Sequence, residues 1–126
     1  MAKKILIVDD EKDYVRVIEQ TLTDEGYKVI TAFSGKEALE KVRDEAPDLM
    51  VLDINMPGMD GYEVCKEIRK DPLYKHLPIV MLTIRRERND KIKGMNLGSD
   101  EYITKPFRPK ELLLRIKKIF QVISRE

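Results

Sequence analysis

Acidic residues follow two of the apolar runs in the sequence, and they are the first candidates for chemistry. Asp9 and Asp10 come directly after the run ILIV, and Asp53 comes directly after the run LMVL. A carboxylate is costly to bury unless it is paired with a cation or coordinates a metal. Asp53 is therefore either a turn residue at the end of a buried strand or part of a site where chemistry is done.

A hydroxyl and an ammonium group end two later apolar segments. Thr83 is the last residue of the run IVMLT, and Lys105 follows EYIT. Ligands of an open α/β sheet bind outside the carboxyl ends of its strands, so we expect all five side chains at one edge. Taken alone, each has a plainer interpretation: a helix N-cap for Asp9 or Asp10, a turn for Asp53, an ordinary strand residue for Thr83, a solvated cation for Lys105. Their joint placement favours a shared site.

The types of these side chains indicate phosphoryl chemistry that uses a divalent cation. Mg²⁺ prefers oxygen ligands and keeps several waters, which suits a few carboxylates at a sheet edge. Aspartate can accept a phosphoryl group covalently, and a metal ion neutralises the phosphoryl oxygens during transfer. Lys105 can pair with the remaining negative charge, and the Thr83 hydroxyl can donate a hydrogen bond to a phosphoryl oxygen.

Five apolar segments alternate with five segments of helical periodicity, and these elements must position the site. The predicted strands are 4–8, 29–33, 49–52, 79–83 and 101–104, and the predicted helices are about 14–25, 35–46, 61–70, 87–97 and 109–123. Apolar strands joined to helices by short connections predict an α/β fold with a parallel sheet covered on both faces. Ser34 and Glu37 predict a capping box on the second helix. The last helix carries one apolar stripe, formed by Leu112, Ile116, Ile119 and Ile123.

The composition limits the classes of protein to which the chain can belong. Its 126 residues predict one domain, and 42% apolar with 37% charged residues is typical of a soluble protein. The net charge of +1 gives no overall electrostatic basis for binding nucleic acid or an anionic membrane. The single cysteine, Cys65, cannot form an internal disulfide and is expected to be a small buried side chain rather than a reactive thiol.

No segment of the sequence suggests export or membrane insertion. The apolar runs are far shorter than the ~20 residues of a membrane span, and the amino terminus lacks the apolar region of a signal peptide. We therefore expect a cytoplasmic protein. The last predicted helix ends near residue 123, so we expect no effector domain within the chain.

The sequence contains several motifs that resemble the receiver domains of bacterial two-component response regulators: ILIVDDE, VLDINMPGMDGYEV, IVMLT and GSDEYITKPF. The resemblance covers nearly the whole chain, so residues 1–126 are expected to form one receiver domain. It implies a doubly wound, flavodoxin-like fold with five parallel strands in the order 2-1-3-4-5 and five helices. It also implies a signalling phosphoprotein rather than an enzyme, because a receiver catalyses only its own phosphoryl transfer and slow dephosphorylation.

The resemblance implies a role for each acidic residue at the predicted edge. Asp53 is implied to be the phosphoacceptor. Asp10 and Asp53 are implied to bind Mg²⁺ directly, together with the backbone carbonyl of Asn55, whereas Asp9 acts mainly through water.

Further residues are implied to respond to the phosphoryl group. Thr83 and Lys105 are implied to contact it, and the peptide bond between Lys105 and Pro106 is implied to be cis. Tyr102 matches the switching aromatic residue of the family, with a plain core or surface tyrosine as the alternative. Ile84 departs from the family pattern, which usually has a small residue directly after the threonine. Our hypothesis is that Ile84 shields the acyl phosphate and lengthens its lifetime.

The resemblance also implies a partner and an output. A sensor histidine kinase would donate the phosphoryl group, and the new charge would bias the surface formed by the predicted helix at 87–97, the fifth strand and the last helix. That surface would form a homodimer or bind a target, with no direct contact to nucleic acid or membrane. The stretch 90–116 is similar to receivers that precede winged-helix DNA-binding domains. Four residues could form charge pairs across such a dimer, or simply a solvated face: Lys91, Asp100, Glu101 and Arg115.

Three other functions are alternatives. A phosphohydrolase with an aspartyl-phosphate intermediate would usually need an acid where the sequence has Asn55. A nucleotide-binding module would need a glycine-rich loop after the first strand, where the sequence has Asp9, Asp10 and Glu11. The third alternative is a receiver-like scaffold that is never phosphorylated.

Overall fold

A single parallel sheet forms the centre of the protein. The computed structural model describes residues 2–84 and 101–124. Five strands lie in the order β2-β1-β3-β4-β5, and all four neighbouring pairs are parallel. The predicted strand order is therefore confirmed. The strands are Lys4–Val8 (β1), Lys28–Ala32 (β2), Leu49–Asp53 (β3), Ile79–Thr83 (β4) and Glu101–Thr104 (β5).

Four α-helices accompany the sheet in the described part of the chain: Lys12–Asp24 (α1), Gly35–Glu45 (α2), Gly61–Lys70 (α3) and Pro109–Ser124 (α4). A short 3₁₀ turn, Pro72–Tyr74, follows α3. The helix predicted at 87–97 lies outside the described residues. The first helix begins at Lys12 rather than near residue 14, because Lys12 and Asp13 form an exposed first turn without apolar periodicity.

Side chains cap the starts of two helices. Ser34 Oγ accepts a hydrogen bond from the Glu37 N–H at 3.1 Å, which confirms half of the predicted capping box. The return bond differs, because Glu37 Oε1 accepts from the N–H of Phe33 at 3.0 Å rather than from that of Ser34. Asp60 Oδ1 caps α3 by accepting from the Glu63 N–H at 2.9 Å.

The buried apolar side chains form two clusters, one on each face of the sheet. Successive strand residues point to opposite faces, so each strand supplies both clusters. One cluster joins the strands to α2 and α3 through Ala38, Val42, Val64, Cys65 and Ile68. The other joins them to α1 and α4 through Val15, Ile18, Leu22, Leu112 and Ile116. The buried position of Cys65 agrees with the prediction.

The apolar stripe of α4 is buried over only part of its length. Leu112 and Ile116 are fully buried and Ile119 is partly buried, but Ile123 is 44% exposed. The predicted stripe therefore continues beyond the part of α4 that is buried, because helical spacing alone does not say where the sheet beneath a helix ends.

Candidate functional site

The carboxyl ends of four strands bring together the polar side chains that the sequence singles out. Asp9 directly follows β1, Asp53 and Thr83 end β3 and β4, and Lys105 directly follows β5. Among the described residues, the buried polar or charged ones are Asp9, Asp53 and Thr83, each at most 2% exposed. All three lie at this edge, where the strand order reverses.

Three carboxylates meet at this edge. Asp9, Asp10 and Asp53 each offer an oxygen that lies within 4.8 Å of the other two, and Asp10 is exposed to solvent. The helix α1 does not account for the two neighbouring acids, because its N-cap residue is Glu11 and no side chain caps it. Instead, Asp9 Oδ1 accepts a hydrogen bond from the Glu11 N–H at 3.0 Å. The cluster could hold a hard cation that keeps some of its waters.

Asn55 contributes two further polar groups beside Asp53. Its backbone N–H donates to Asp53 Oδ1 across 3.4 Å. Its side-chain nitrogen is buried and has no hydrogen-bond partner among the described residues. A buried polar atom of this kind normally has a partner, such as an ordered water or a ligand. Together with the three acids, this nitrogen indicates a site that fits a hydrated cation and an oxygen-rich ligand.

Lys105 supplies the positive charge of the site. Its Nζ lies 2.8 Å from Asp9 Oδ2 and 3.5 Å from Asp53 Oδ1, and its side chain is 10% exposed. Burial would lower the pKa of Lys105, but the hydrogen bond to Asp9 and the charges of Asp53 and Asp9 raise it overall. Lys105 therefore remains an ammonium ion, and it offsets only part of the negative charge of the three acids.

The buried position of Asp53 changes its acidity. Burial, followed by the nearby charge of Asp9, raises the pKa of Asp53 to about 6, while Lys105 and the Asn55 N–H oppose the increase. At neutral pH the carboxylate is still ionised. It is nevertheless less stable in its charged form than an exposed aspartate, so binding a cation there is favourable.

The backbone ties the residues of this edge to one another. The Lys105 N–H donates to the Thr83 carbonyl at 2.6 Å, which joins the end of β5 to the end of β4. The peptide bond between Lys105 and Pro106 is cis, as predicted. The loop after Asp53 folds back, since the Gly61 N–H donates to the Ile54 carbonyl at 3.0 Å.

Gly61 allows α3 to begin directly against the phosphoacceptor candidate. A Cβ at this position would lie 2.6 Å from the Asp53 carbonyl oxygen and 2.7 Å from the Ile54 Cα. Both of these are backbone atoms that cannot rotate away, so a side chain would displace the end of β3. The loop also turns at Gly58, whose φ of +77° favours glycine.

Tyr14 is a member of the site that the sequence analysis missed. Lys105 Nζ lies 4.4 Å from the centroid of its ring, and Phe107 packs edge-on against the same ring at 5.7 Å. Burial, and then the charges of Asp9 and Asp53, raise the pKa of Tyr14 well above its usual range. The available signal was its spacing, because Tyr14 lies about one helical turn after Asp10.

The residues predicted to act as the switch, the shield and the dimer interface were also located where the structure describes them. Tyr102 is partly buried and packs against the cluster beneath α2 and α3. Ile84 is 66% exposed. Glu101 and Arg115 pair with each other within the chain at 2.8 Å. Their two predicted interface partners, Lys91 and Asp100, lie outside the described residues.

Comparisons with known proteins identify the class to which this fold and site belong. The sequence profile of the response regulator receiver domain matches residues 5–117. The structure is similar to that of the Vibrio cholerae chemotaxis protein CheY4, with a TM-score of 0.89, 37% identity, and coverage of 94% of this chain and 98% of that one. It is also similar to a CheY-like receiver domain protein from Methanospirillum hungatei, with a TM-score of 0.92, 33% identity, and coverage of 99% and 98%.

The chain belongs to the response regulator receiver family, and it is the receiver domain of a two-component response regulator. It is 50% identical over 121 residues to the alkaline phosphatase synthesis transcriptional regulatory protein PhoP of Bacillus subtilis. The match covers 96% of this chain and 50% of that protein, so the chain spans about half the length of this relative. Receivers of this family interact with histidine kinases. Within the described residues, no helix is both long enough and apolar enough to cross a membrane.

Proposed function

We propose that Asp53 accepts a phosphoryl group from the phosphohistidine of a sensor histidine kinase, with Mg²⁺ as cofactor. The observation that carries this proposal is the pairing of a buried, ionised Asp53 with a largely shielded ammonium 3.5 Å away, at an edge where two more carboxylates converge. Burying Asp9 and Asp53 for structural reasons alone would be unfavourable, because the cost of removing two carboxylates from water exceeds the gain from pairing with Lys105.

The transfer forms one bond and breaks one bond. An oxygen of the Asp53 carboxylate attacks phosphorus, the phosphorus–nitrogen bond of the phosphohistidine breaks, and the imidazole keeps the electron pair of that bond. Lys105 and the Thr83 hydroxyl then bind oxygens of the new acyl phosphate. Asp9, Asp10 and Asp53, with the Asn55 carbonyl, would hold Mg²⁺, which neutralises the phosphoryl oxygens when it is bound.

Phosphorylation would act on the surface that contains β5 and α4. Because the Lys105 N–H is bonded to the Thr83 carbonyl, a shift of Thr83 toward the phosphoryl group would reach β5 directly. Tyr102 lies on that strand, so its side chain would move with it. We propose that this surface then forms a homodimer or binds a target protein.

The experiment that tests this function is phosphorylation without a kinase. The protein is incubated with Mg²⁺ and acetyl phosphate, and its intact mass is measured. We expect the mass of one phosphoryl group to be added to the unsubstituted protein and to the control Asp13→Asn, whose side chain is exposed on α1. The Asp53→Asn variant should gain none. If no adduct depends on Asp53, the protein is a scaffold rather than a phosphoacceptor.

A further inference from the structure

The ring of Tyr14 covers a side of the Lys105 ammonium that the carboxylates leave open. Lys105 Nζ contacts Asp9 at 2.8 Å and Asp53 at 3.5 Å, and the Tyr14 ring centroid lies 4.4 Å from the same nitrogen. Phe107 packs edge-on against this ring at an interplanar angle of 78°. Three different groups therefore hold one ammonium ion.

The aromatic face attracts the lysine in a different way from the two carboxylates. An aromatic ring attracts a cation through its quadrupole, and the attraction grows when the cation is shielded from water, as Lys105 is. A carboxylate accepts a hydrogen bond from the ammonium, and Asp9 and Asp53 are also among the residues proposed to hold Mg²⁺, directly or through water. If the carboxylate oxygens bind Mg²⁺ instead, the ring still attracts the ammonium. The N–H groups of Lys105 then remain available to donate hydrogen bonds.

We propose that Tyr14 is a positioning residue for phosphoryl transfer, whose aromatic face holds the Lys105 ammonium beside Asp53 while the carboxylates change partners. This inference rests on the proposed function of Asp53. It assigns the effect to the ring rather than to the hydroxyl. The phenylalanine variant should therefore behave like the unsubstituted protein, whereas an aliphatic residue of similar size should not.

Phosphorylation kinetics of Tyr14→Phe and Tyr14→Leu separate these possibilities. With Mg²⁺ and acetyl phosphate, we expect Tyr14→Phe to retain the initial rate and Tyr14→Leu to lose about three- to tenfold. In a Lys105→Ala background, Tyr14→Leu should cause no further loss, because its effect acts through the lysine. Equal losses in the two single variants, or an undiminished loss in the Lys105→Ala background, would overturn the proposal.

A second measurement reports the contact itself, without phosphorylation. Lys105 Nζ lies over the Tyr14 ring, so we expect the NMR signals of the methylene protons next to this nitrogen to be shifted upfield. The shift should persist in Tyr14→Phe and disappear in Tyr14→Leu or, if that variant does not fold, in Tyr14→Met. An unsubstituted protein that gains no phosphoryl group would contradict the proposed function. If the unsubstituted protein is phosphorylated but Tyr14→Leu is phosphorylated equally fast, only this inference is contradicted.

Discussion

Lys105 and Asp9 form an ion pair in which Nζ lies 2.8 Å from Oδ2; Asp9 is fully buried, and the Lys105 side chain is 10% exposed. The same nitrogen is 3.5 Å from Asp53, so the lysine lies closer to Asp9 than to the proposed phosphoacceptor. An ammonium ion in this position repels a second cation. Mg²⁺ and Lys105 should therefore compete for Asp9.

Replacing Lys105 with alanine should strengthen Mg²⁺ binding. Removal of a unit charge next to Asp9 removes a repulsion large enough to raise the affinity by about tenfold. Isothermal titration calorimetry of Lys105→Ala measures this change, and Lys36→Ala, which removes an exposed lysine from α2, serves as the control. An affinity that stays the same in Lys105→Ala would mean that the lysine and the metal do not compete.

Asp53→Asn should stabilise the protein at high pH in the absence of Mg²⁺. The pKa of Asp53 is raised from 3.8 to about 6 on folding, so the folded state binds more protons than the unfolded state between these values. The free energy of unfolding of the unsubstituted protein therefore falls as the pH rises through this window. Asparagine does not ionise, so the free energy of unfolding of the variant does not fall in this way. At pH 8 the variant should be more stable than the unsubstituted protein by about 2–3 kcal/mol.

Urea denaturation at low and high pH measures the effect of Asp53→Asn. The advantage of the variant should be small near pH 4, where Asp53 is mostly protonated in the folded state. Asp13→Asn should show no comparable gain, since its side chain is exposed. A variant that is less stable than the unsubstituted protein at pH 8 would show that Asp53 is not strained by its burial.

Gly61→Ala should damage the site through the backbone of β3. The added Cβ would approach the Asp53 carbonyl oxygen to 2.6 Å, and we expect a loss of about 1–3 kcal/mol in the free energy of unfolding. Because the end of β3 must shift, phosphorylation by acetyl phosphate should also slow. Thermal unfolding and mass spectrometry measure the two effects.

Gly58→Ala is the matched control for Gly61→Ala. A Cβ at Gly58 meets nothing within 4 Å, so the cost comes only from its positive φ and should be about 1 kcal/mol. Phosphorylation should continue at the usual rate. If both variants slow phosphorylation equally, the contact of Gly61 with Asp53 is not what matters.

Ile84→Ala should shorten the lifetime of the phosphorylated protein. Ile84 directly follows Thr83 and is 66% exposed, so its side chain is available to cover an acyl phosphate on Asp53 and exclude water. The loss of phosphoryl mass is followed over time after acetyl phosphate is removed. Leu73→Ala, which truncates a side chain 82% exposed on the 3₁₀ turn, should leave the lifetime unchanged. A lifetime that is equal or longer in Ile84→Ala would refute the shielding hypothesis.

Arg115→Gln should weaken dimerisation more than it weakens the fold. The pair that Arg115 forms with Glu101 is partly exposed, with 38% and 29% of the side chains accessible, so its loss should cost less than about 1 kcal/mol. If these charges also pair across a dimer, sedimentation of the phosphorylated variant should show more monomer. Lys110→Gln, elsewhere on α4, is the control. Identical dimer fractions would place the interface elsewhere.

Four residues of this edge, Asp9, Asp53, Thr83 and Lys105, could be picked out from the sequence because each follows or ends one of the predicted strands. In a parallel sheet, the carboxyl ends of the strands meet at one edge, so Asp9, Asp53, Thr83 and Lys105 could be placed together without coordinates. The closer contact of Lys105 with Asp9 than with Asp53 could not be predicted, because it depends on differences of less than an ångström in side-chain distances. The position of Tyr14 beside Lys105 was missed because a tyrosine at helical spacing is also typical of a core face.

Two separate clusters of buried side chains, one beneath α2 and α3 and one beneath α1 and α4, have a consequence for how this protein can evolve. Substitutions in clusters that share no partners have nearly additive effects on stability. The packing beneath one pair of helices can therefore change without a matching change beneath the other pair. The edge that holds Asp9, Asp53 and Lys105 has no such freedom, because these side chains contact one another.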